Sequence, residues 1–300
     1  MRVTSQMIFT QFNYNLQNSM NNIYQTDEQI STGQKLNKPS DDPAAMASIV
    51  SGKAQLSAIA GYQDAVTSAN QLLNTTSTAL NSLYTLISNA KSIGDAATSG
   101  TAQDMTNYAS LMGNVIQSAI DIANTQVNGR YIFSGYGSNN PAVDKTTGVL
   151  TATSTADKIY IQVNNGTSVN VNITAAGLIS SAAPLDNTTV IGALKGLQTA
   201  IQNNDQTGIQ SGLTALGNLS SAVVSTQSDI GTRLDLLQSE SKILTANDTN
   251  ITNNVSDKLM LSTTDIARLT VESQQQQTAL TSLRSITSSV LSNSLFDFLK

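Results

Sequence analysis

"IQSGLTALGNLSSAVVSTQSDIGTRLDLLQSESKILTANDTNI", residues 209–251, sets the fold class, because Ile209, Leu216, Val223, Ile230, Leu237, Leu244 and Ile251 follow one another at seven-residue steps. An apolar residue every seven positions, kept without a gap, predicts a long helix packed along another helix. Gly231 interrupts this helix at a cost of about 1 kcal/mol relative to alanine, and its presence suggests a close helix contact or a bend there.

Working outward, helix periodicity returns near Val190 on one side. On the other side Leu259, Ile266 and Leu280, with Val255, Leu269, Leu283 and Val290, predict a last amphipathic helix. Its stripe is diluted by Ser262, Ser273 and Gln276, and the chain ends apolar on "NSLFDFLK". The N-terminal half mirrors this plan. Phe9, Leu16, Ile23 and Ile30, with Phe12 and Met20 on neighbouring rows, predict a helix over about 4–32. "STGQKLNKPSDDP", residues 31–43, breaks it, since Gly33 suits a helix C-cap and Pro39 forces the backbone before it out of the helical region. From Ala44 to about Ser99, Ile59, Val66, Leu73, Leu80 and Ile87 repeat every seven residues. Tyr62, Ala69, Thr76, Leu83 and Ala90 trail them by three. A further helix over about 102–127, on Met105, Tyr108, Met112, Val115, Ala119 and Ile122, should fold back antiparallel after a corner at Ser99 and Gly100.

The period then changes. "NGRYIFSGYG", residues 128–137, begins with a hairpin-type Asn-Gly turn and gathers Tyr131, Phe133 and Tyr136 in a chain otherwise poor in aromatics. Ile159, Ile161 and Val163 alternate, "NNGT" turns, and Val169, Val171 and Ile173 alternate again, which predicts a β-hairpin with one apolar face. The expected fold is mainly α: a long antiparallel helical bundle or coiled coil formed by both chain ends, with a small β-rich insertion. Its expected domains are a terminal coiled coil (1–42 and 256–300), a long-helix bundle (43–137 and 186–255) and the insertion (138–185). The two ends must meet, because neither terminal stripe has another partner in the chain.

Composition narrows the function. Only 39% of the 300 residues are hydrophobic, 4% aromatic and 12% charged, so the surface is neutral-polar and suits lateral packing between copies. With a net charge of −5 there is no basic field for a phosphate backbone, which argues against nucleic acid. The absence of Cys and His removes thiol nucleophiles, Cys/His zinc sites and the Ser-His-Asp triad, so no catalytic, cofactor or metal site is expected. The first twenty residues lack the apolar core of a secretory signal, and no apolar run reaches the ~18 residues of a membrane helix; export, if it occurs, uses another route.

Asp41 and Asp42, in "NKPSDDPAAM", could be an acid-base or metal pair. Pro43, however, suits the first turn of a helix, and an Asp just before it suits the N-cap, so all three residues are assigned to a helix cap. Lys35 and Lys38 are the expected loop partners of these carboxylates. Reading "VNGRYIFSGYG" as a phosphate loop fails for want of GK[ST] and of a following helix. The run Gln274–Gln277 is read as a solvated or subunit-facing helix surface, and the methionines on the stripes as core or interface filler. Arg130 is expected to pair with a carboxylate.

The expected assembly interface consists of Phe9, Phe12, Leu16, Ile23, Ile30, Leu259, Ile266, Leu269, Leu280, Leu283 and Val290. A lone pair of terminal helices would leave one face of each uncovered, and the burial gained would not repay the chain entropy of ordering them. Residues 1 to about 40 and 256–300 are therefore expected to be mobile in the free monomer and helical on assembly.

"MRVTSQMIF" (1–9), "QISTGQKLNKPSDDPAAM" (29–46), "NGRYIFSGY" (128–136) and "NSLFDFLK" (293–300) together resemble the bacterial flagellin family, in particular its junction members. The resemblance implies an axial structural protein, secreted unfolded through the flagellar type III export channel, that forms a ring of identical subunits between hook-associated protein 1 and the flagellin filament. A filament subunit is the alternative. It also implies a cytoplasmic export chaperone on the C-terminal helix, inner tubes lined by 3–32 and 256–298, a next shell from 44–255, and the β insertion outermost.

Overall fold

The computed structural model describes residues 2–151, 157–182 and 185–298. Among these there are six α-helices: α1 (Arg2–Thr32), α2 (Pro43–Ala97), α3 (Ala102–Ala123), α4 (Val190–Gln202), α5 (Gln206–Leu259) and α6 (Thr263–Phe298). Two small antiparallel sheets accompany them, β1 (Gln126–Val127) with β2 (Arg130–Tyr131) and β3 (Tyr160–Asn164) with β4 (Thr167–Asn170). The fold is mainly α with a small β insertion. The chain divides into two compact units, one of Met1–Ala58 and Asn247–Lys300, the other Ile59–Ala246.

The core of the second unit follows the heptads. Val66, Leu73, Leu80 and Ile87 of α2 are buried, as are Ala69, Thr76, Leu83 and Ala90 three residues behind them; on α5 Ile209, Leu216, Val223, Ile230, Leu237 and Leu244 are buried. Leu197 of α4 sits where three helices converge. A Cβ added at Gly94 of α2 would lie 3.2 Å from it and 2.8 Å from Leu213 of α5, and one added at Gly212 of α5 would lie 3.1 Å from it. Glycine is what lets those helices approach.

Three expectations need correction. The helical stretch after Val190 is broken: Asn204 takes φ 52° and Asp205 follows, so that α4 and α5 are separate helices. A non-glycine residue at positive φ cannot continue a right-handed helix, and asparagine tolerates that conformation better than most. The buried face of α3 is also wider than the foreseen stripe. Met105, Met112 and Ala119 are joined by Ala109, Ile116, Ile120 and Ala123, because α3 packs on α4 as well as lying beside α2. Gln198 of α4 donates to the Ala109 carbonyl at 3.0 Å across the α3–α4 contact. Finally, a Cβ at Gly231 would meet nothing within 4 Å among the described residues, which removes the close-contact half of that expectation and does not bear on the bend.

Short-range chemistry sets the ends of the elements. Thr101 and Asp104 form a reciprocal capping box at the start of α3. Asn128 and Gly129, at φ 51° and 76°, make the two-residue turn between β1 and β2, as Asn-Gly does in a type I′ hairpin. In the larger hairpin Val163, Val169 and Val171 are buried, Asn164 donates to Glu240 of α5 at 2.8 Å, and Arg233 of α5 holds Asn170 and the Asn172 carbonyl. Of the aromatic cluster, Phe133 is fully buried and Tyr136 is exposed.

Candidate assembly interface

The terminal helices are set against each other by the two loops that interrupt the chain. Gly33 ends α1 with φ 67° and its N–H donates to the Gln29 carbonyl at 2.9 Å. Beyond it, Lys35 N donates to the Leu259 carbonyl at 2.7 Å and Leu261 N to the Gly33 carbonyl at 2.9 Å, forming an antiparallel bridge between the loop after α1 and the loop before α6. Ser262 and Asp265 then start α6 as a second reciprocal capping box, with Ser262 N donating to Asp265 Oδ2 at 3.1 Å and Asp265 N to Ser262 Oγ at 3.1 Å. The hydrogen bonds from Ser262, and then the nearby Lys35 ammonium 3.3 Å away, hold the Asp265 carboxyl below its ordinary range.

The acidic pair has two separate uses. Asp42 Oδ1 accepts from Ala44 N at 3.0 Å and Ala45 N at 2.9 Å, the bonding of an N-cap to α2, with Pro43 at its first position. Asp41 Oδ2 instead accepts from Asn37 N and Lys38 N at 3.0 and 2.9 Å and ties the loop. The expected lysine partners are different: Lys35 pairs with Asp265, and Lys38 with Glu28 at 2.9 Å, whose hydrogen bond and charge raise the Lys38 pKa. Arg130, expected on a carboxylate, donates through Nε to Ser138 Oγ at 2.8 Å.

Pairing of α1 with α6 covers the stripes only in part. Leu269 is buried, at 6% exposure, while Phe12, Leu16, Ile23, Ile30, Leu259, Leu280 and Leu283 are half-buried and Ile266 is exposed. The side chains of Phe9 and Val290 lie outside the described residues. Further large apolar groups on these helices stand open, among them Met7, Tyr14, Tyr24, Val271 and Ile286, each more than half exposed. Sequence reasoning passed over Tyr14, Tyr24 and Val271 because they fall off the seven-residue rows. It also missed the polar groups in the seam. Thr26 and Ser273 are buried, and the Ser273 hydroxyl donates to Asp27 Oδ1 at 2.9 Å. The Ser-x-x-Asp spacing at 262–265 was the available signal for the start of α6.

Among the described residues no group of three or more acidic side chains could hold a metal ion. A cleft of about 460 Å³ beside the larger hairpin contains Arg233, Asp229, Asn170 and Asn172, but these groups are bonded to one another, with Arg233 on Asp229 at 2.5 Å. No helix among the described residues is long and apolar enough to cross a membrane.

Comparison with known proteins agrees with this architecture. Over 152 residues, 49% of this chain, it is 33% identical to flagellar hook-associated protein 3 of Salmonella typhimurium, a stretch covering 48% of that protein. Over 140 residues, 45% of this chain, it is 34% identical to flagellar hook-associated protein 3 of Escherichia coli, covering 44% of that protein. The chain thus spans about half the length of the curated relatives it matches. A solved structure described as a flagellar hook-associated protein of Vibrio parahaemolyticus superposes with a TM-score of 0.66 at 22% identity, over 73% of this chain and 100% of that one, a likeness of fold. Residues 3–138 match the model of the bacterial flagellin N-terminal helical region. The likeness to the bacterial flagellin family thus covers the helical region at the start of this chain.

Proposed function

We propose that this chain is a structural junction protein of the bacterial flagellum, forming a ring of identical subunits between hook-associated protein 1 and the flagellin filament. The observation that carries this reading is the likeness to hook-associated protein 3 in two bacteria, on a chain whose terminal helices keep half-covered apolar stripes. Stripes on α1 and α6 that one chain cannot finish burying are a surface for sister subunits, with Phe12, Leu16, Ile23, Ile30, Ile266, Leu280 and Leu283 as the interface. The same stripe on α6 would need masking in the cytoplasm before export, which is the role assigned to a chaperone. Function is then by stacking and not by catalysis, outside the cell at the hook-filament junction. On this reading the terminal helices form one domain, the long helices a second, and the β insertion, which lies inside the compact unit Ile59–Ala246, a third.

Deleting the gene tests the reading. Cells without this chain should keep their hooks and shed flagellin as monomer into the medium. A second reading, a filament subunit, is favoured by the flagellin model over residues 3–138; it predicts bare hooks with no flagellin released.

A further inference from the structure

The apolar stripes of α1 and α6 cannot alone decide how far the two helices slide past each other. A stripe that repeats every seven residues offers a similar face after a slip of one heptad, about 10 Å along the axis. On α6 the choice is weaker still, because the row facing α1 carries the buried Ser273 between Leu269 and Leu280.

Polar groups do distinguish the alignments. Lys35 Nζ lies 3.3 Å from Asp265 Oδ2 and donates to the Asp257 carbonyl at 3.0 Å. Further along, the Ser273 hydroxyl donates to Asp27 at 2.9 Å. The two side-chain pairs share one antiparallel offset: Asp27 precedes Lys35 by the same number of residues as Asp265 precedes Ser273. Beyond the Lys35–Asp265 pair, in the loops, the backbone bridge joins Gly33 and Lys35 to Leu261 and Leu259. A one-heptad slip would set Asp27 against Leu280 or Ile266, strip the buried Ser273 hydroxyl of its acceptor and part Lys35 from Asp265. Each of those losses is specific to the wrong alignment.

We propose that Lys35–Asp265 and Asp27–Ser273 are a register lock, selecting one antiparallel alignment of the terminal helices while the apolar stripes supply the attraction. A single polar position in a helical seam is the best-attested device for fixing register. The lock is a property of one chain and stands whether or not the junction reading does.

The chain has no cysteine, so introduced pairs report without background. Asp27→Cys with Ser273→Cys reads the observed alignment, and Asp27→Cys with Leu280→Cys reads the slipped one. Both are made in the full chain and linked with a short bismaleimide, and the intramolecular product is measured by mass. Asp27→Cys removes one half of the lock, so the measurement isolates Lys35–Asp265. The first pair should exceed the second at least tenfold. Adding Lys35→Met, which leaves the Asp265 cap on Ser262 in place, should raise the slipped share several-fold, and Lys35→Arg should leave the native ratio. Equal yields from the two pairs in the otherwise native chain, or a ratio unmoved by Lys35→Met, would overturn the proposal. Should Lys35→Met lose helix by circular dichroism, Lys35→Gln supplies the same comparison.

Discussion

Asp42 carries a local claim that a single substitution can test. It accepts two backbone N–H groups that the first turn of α2 would otherwise leave unpaired. Asp42→Ala should lower stability by about 1 kcal/mol and Asp42→Asn by much less, since both Asp and Asn cap well; denaturant titration followed by helical circular dichroism measures this. Glycines divide by environment. A Cβ at Gly192 would fall 1.8 Å from the Asp186 carbonyl oxygen, which is backbone and has to move. Gly192→Ala should therefore destabilise by about 1–3 kcal/mol. Gly231→Ala meets open space in mid-helix and should stabilise by up to about 1 kcal/mol. If both substitutions shift the thermal midpoint in the same direction, that distinction is wrong. Asp42 and Gly33 were legible in the sequence because cap chemistry is local. Partners such as Asp265 for Lys35, hundreds of residues away, were not, because no local pattern encodes a contact made by the fold.

Helices α3 and α6 both begin with a reciprocal box, Thr101 with Asp104 and Ser262 with Asp265, and in each the carboxyl is held below its usual range by its hydroxyl and amide partners. A carboxyl with a folded pKa below its unfolded one contributes stability that is full above about pH 4 and is lost as pH falls through the folded value. The protection of the first-turn amides of α6, taken as the intrinsic over the observed exchange rate at each pH, should thus fall below about pH 4 and stay flat from pH 5 to 8. Asp265→Asn should abolish that response. The long elements were readable because an uninterrupted heptad is written into the chain at every turn: Leu73, Leu80 and Leu237 are buried where the spacing puts them. The break at Asn204 and the second buried face of α3 were hidden, since periodicity reports one stripe and α3 is packed from more than one side. Tyr14 and Tyr24 escaped for the opposite reason, standing off every stripe.

For the whole molecule, one asymmetry matters most: α2 and α5 bury their rows within the chain over 59–246, whereas α1 and α6, though paired, leave theirs half open. Hydrophobic burial is the main term opposing the chain entropy of ordering a helix, so an element that buries half its stripe is poorly held until something covers the rest. Helices of this kind open locally at little cost in free energy. The measurement that tests this most directly is amide hydrogen exchange on the full chain, once as a dilute monomer and once in the assembly it is proposed to form. The account predicts fast exchange throughout α1 and α6 in the monomer, slow exchange in α2 and α5 over 59–246, and strong protection of α1 and α6 on assembly. Slow exchange in α1 and α6 of the dilute monomer, equal to that of the 59–246 core, would contradict it.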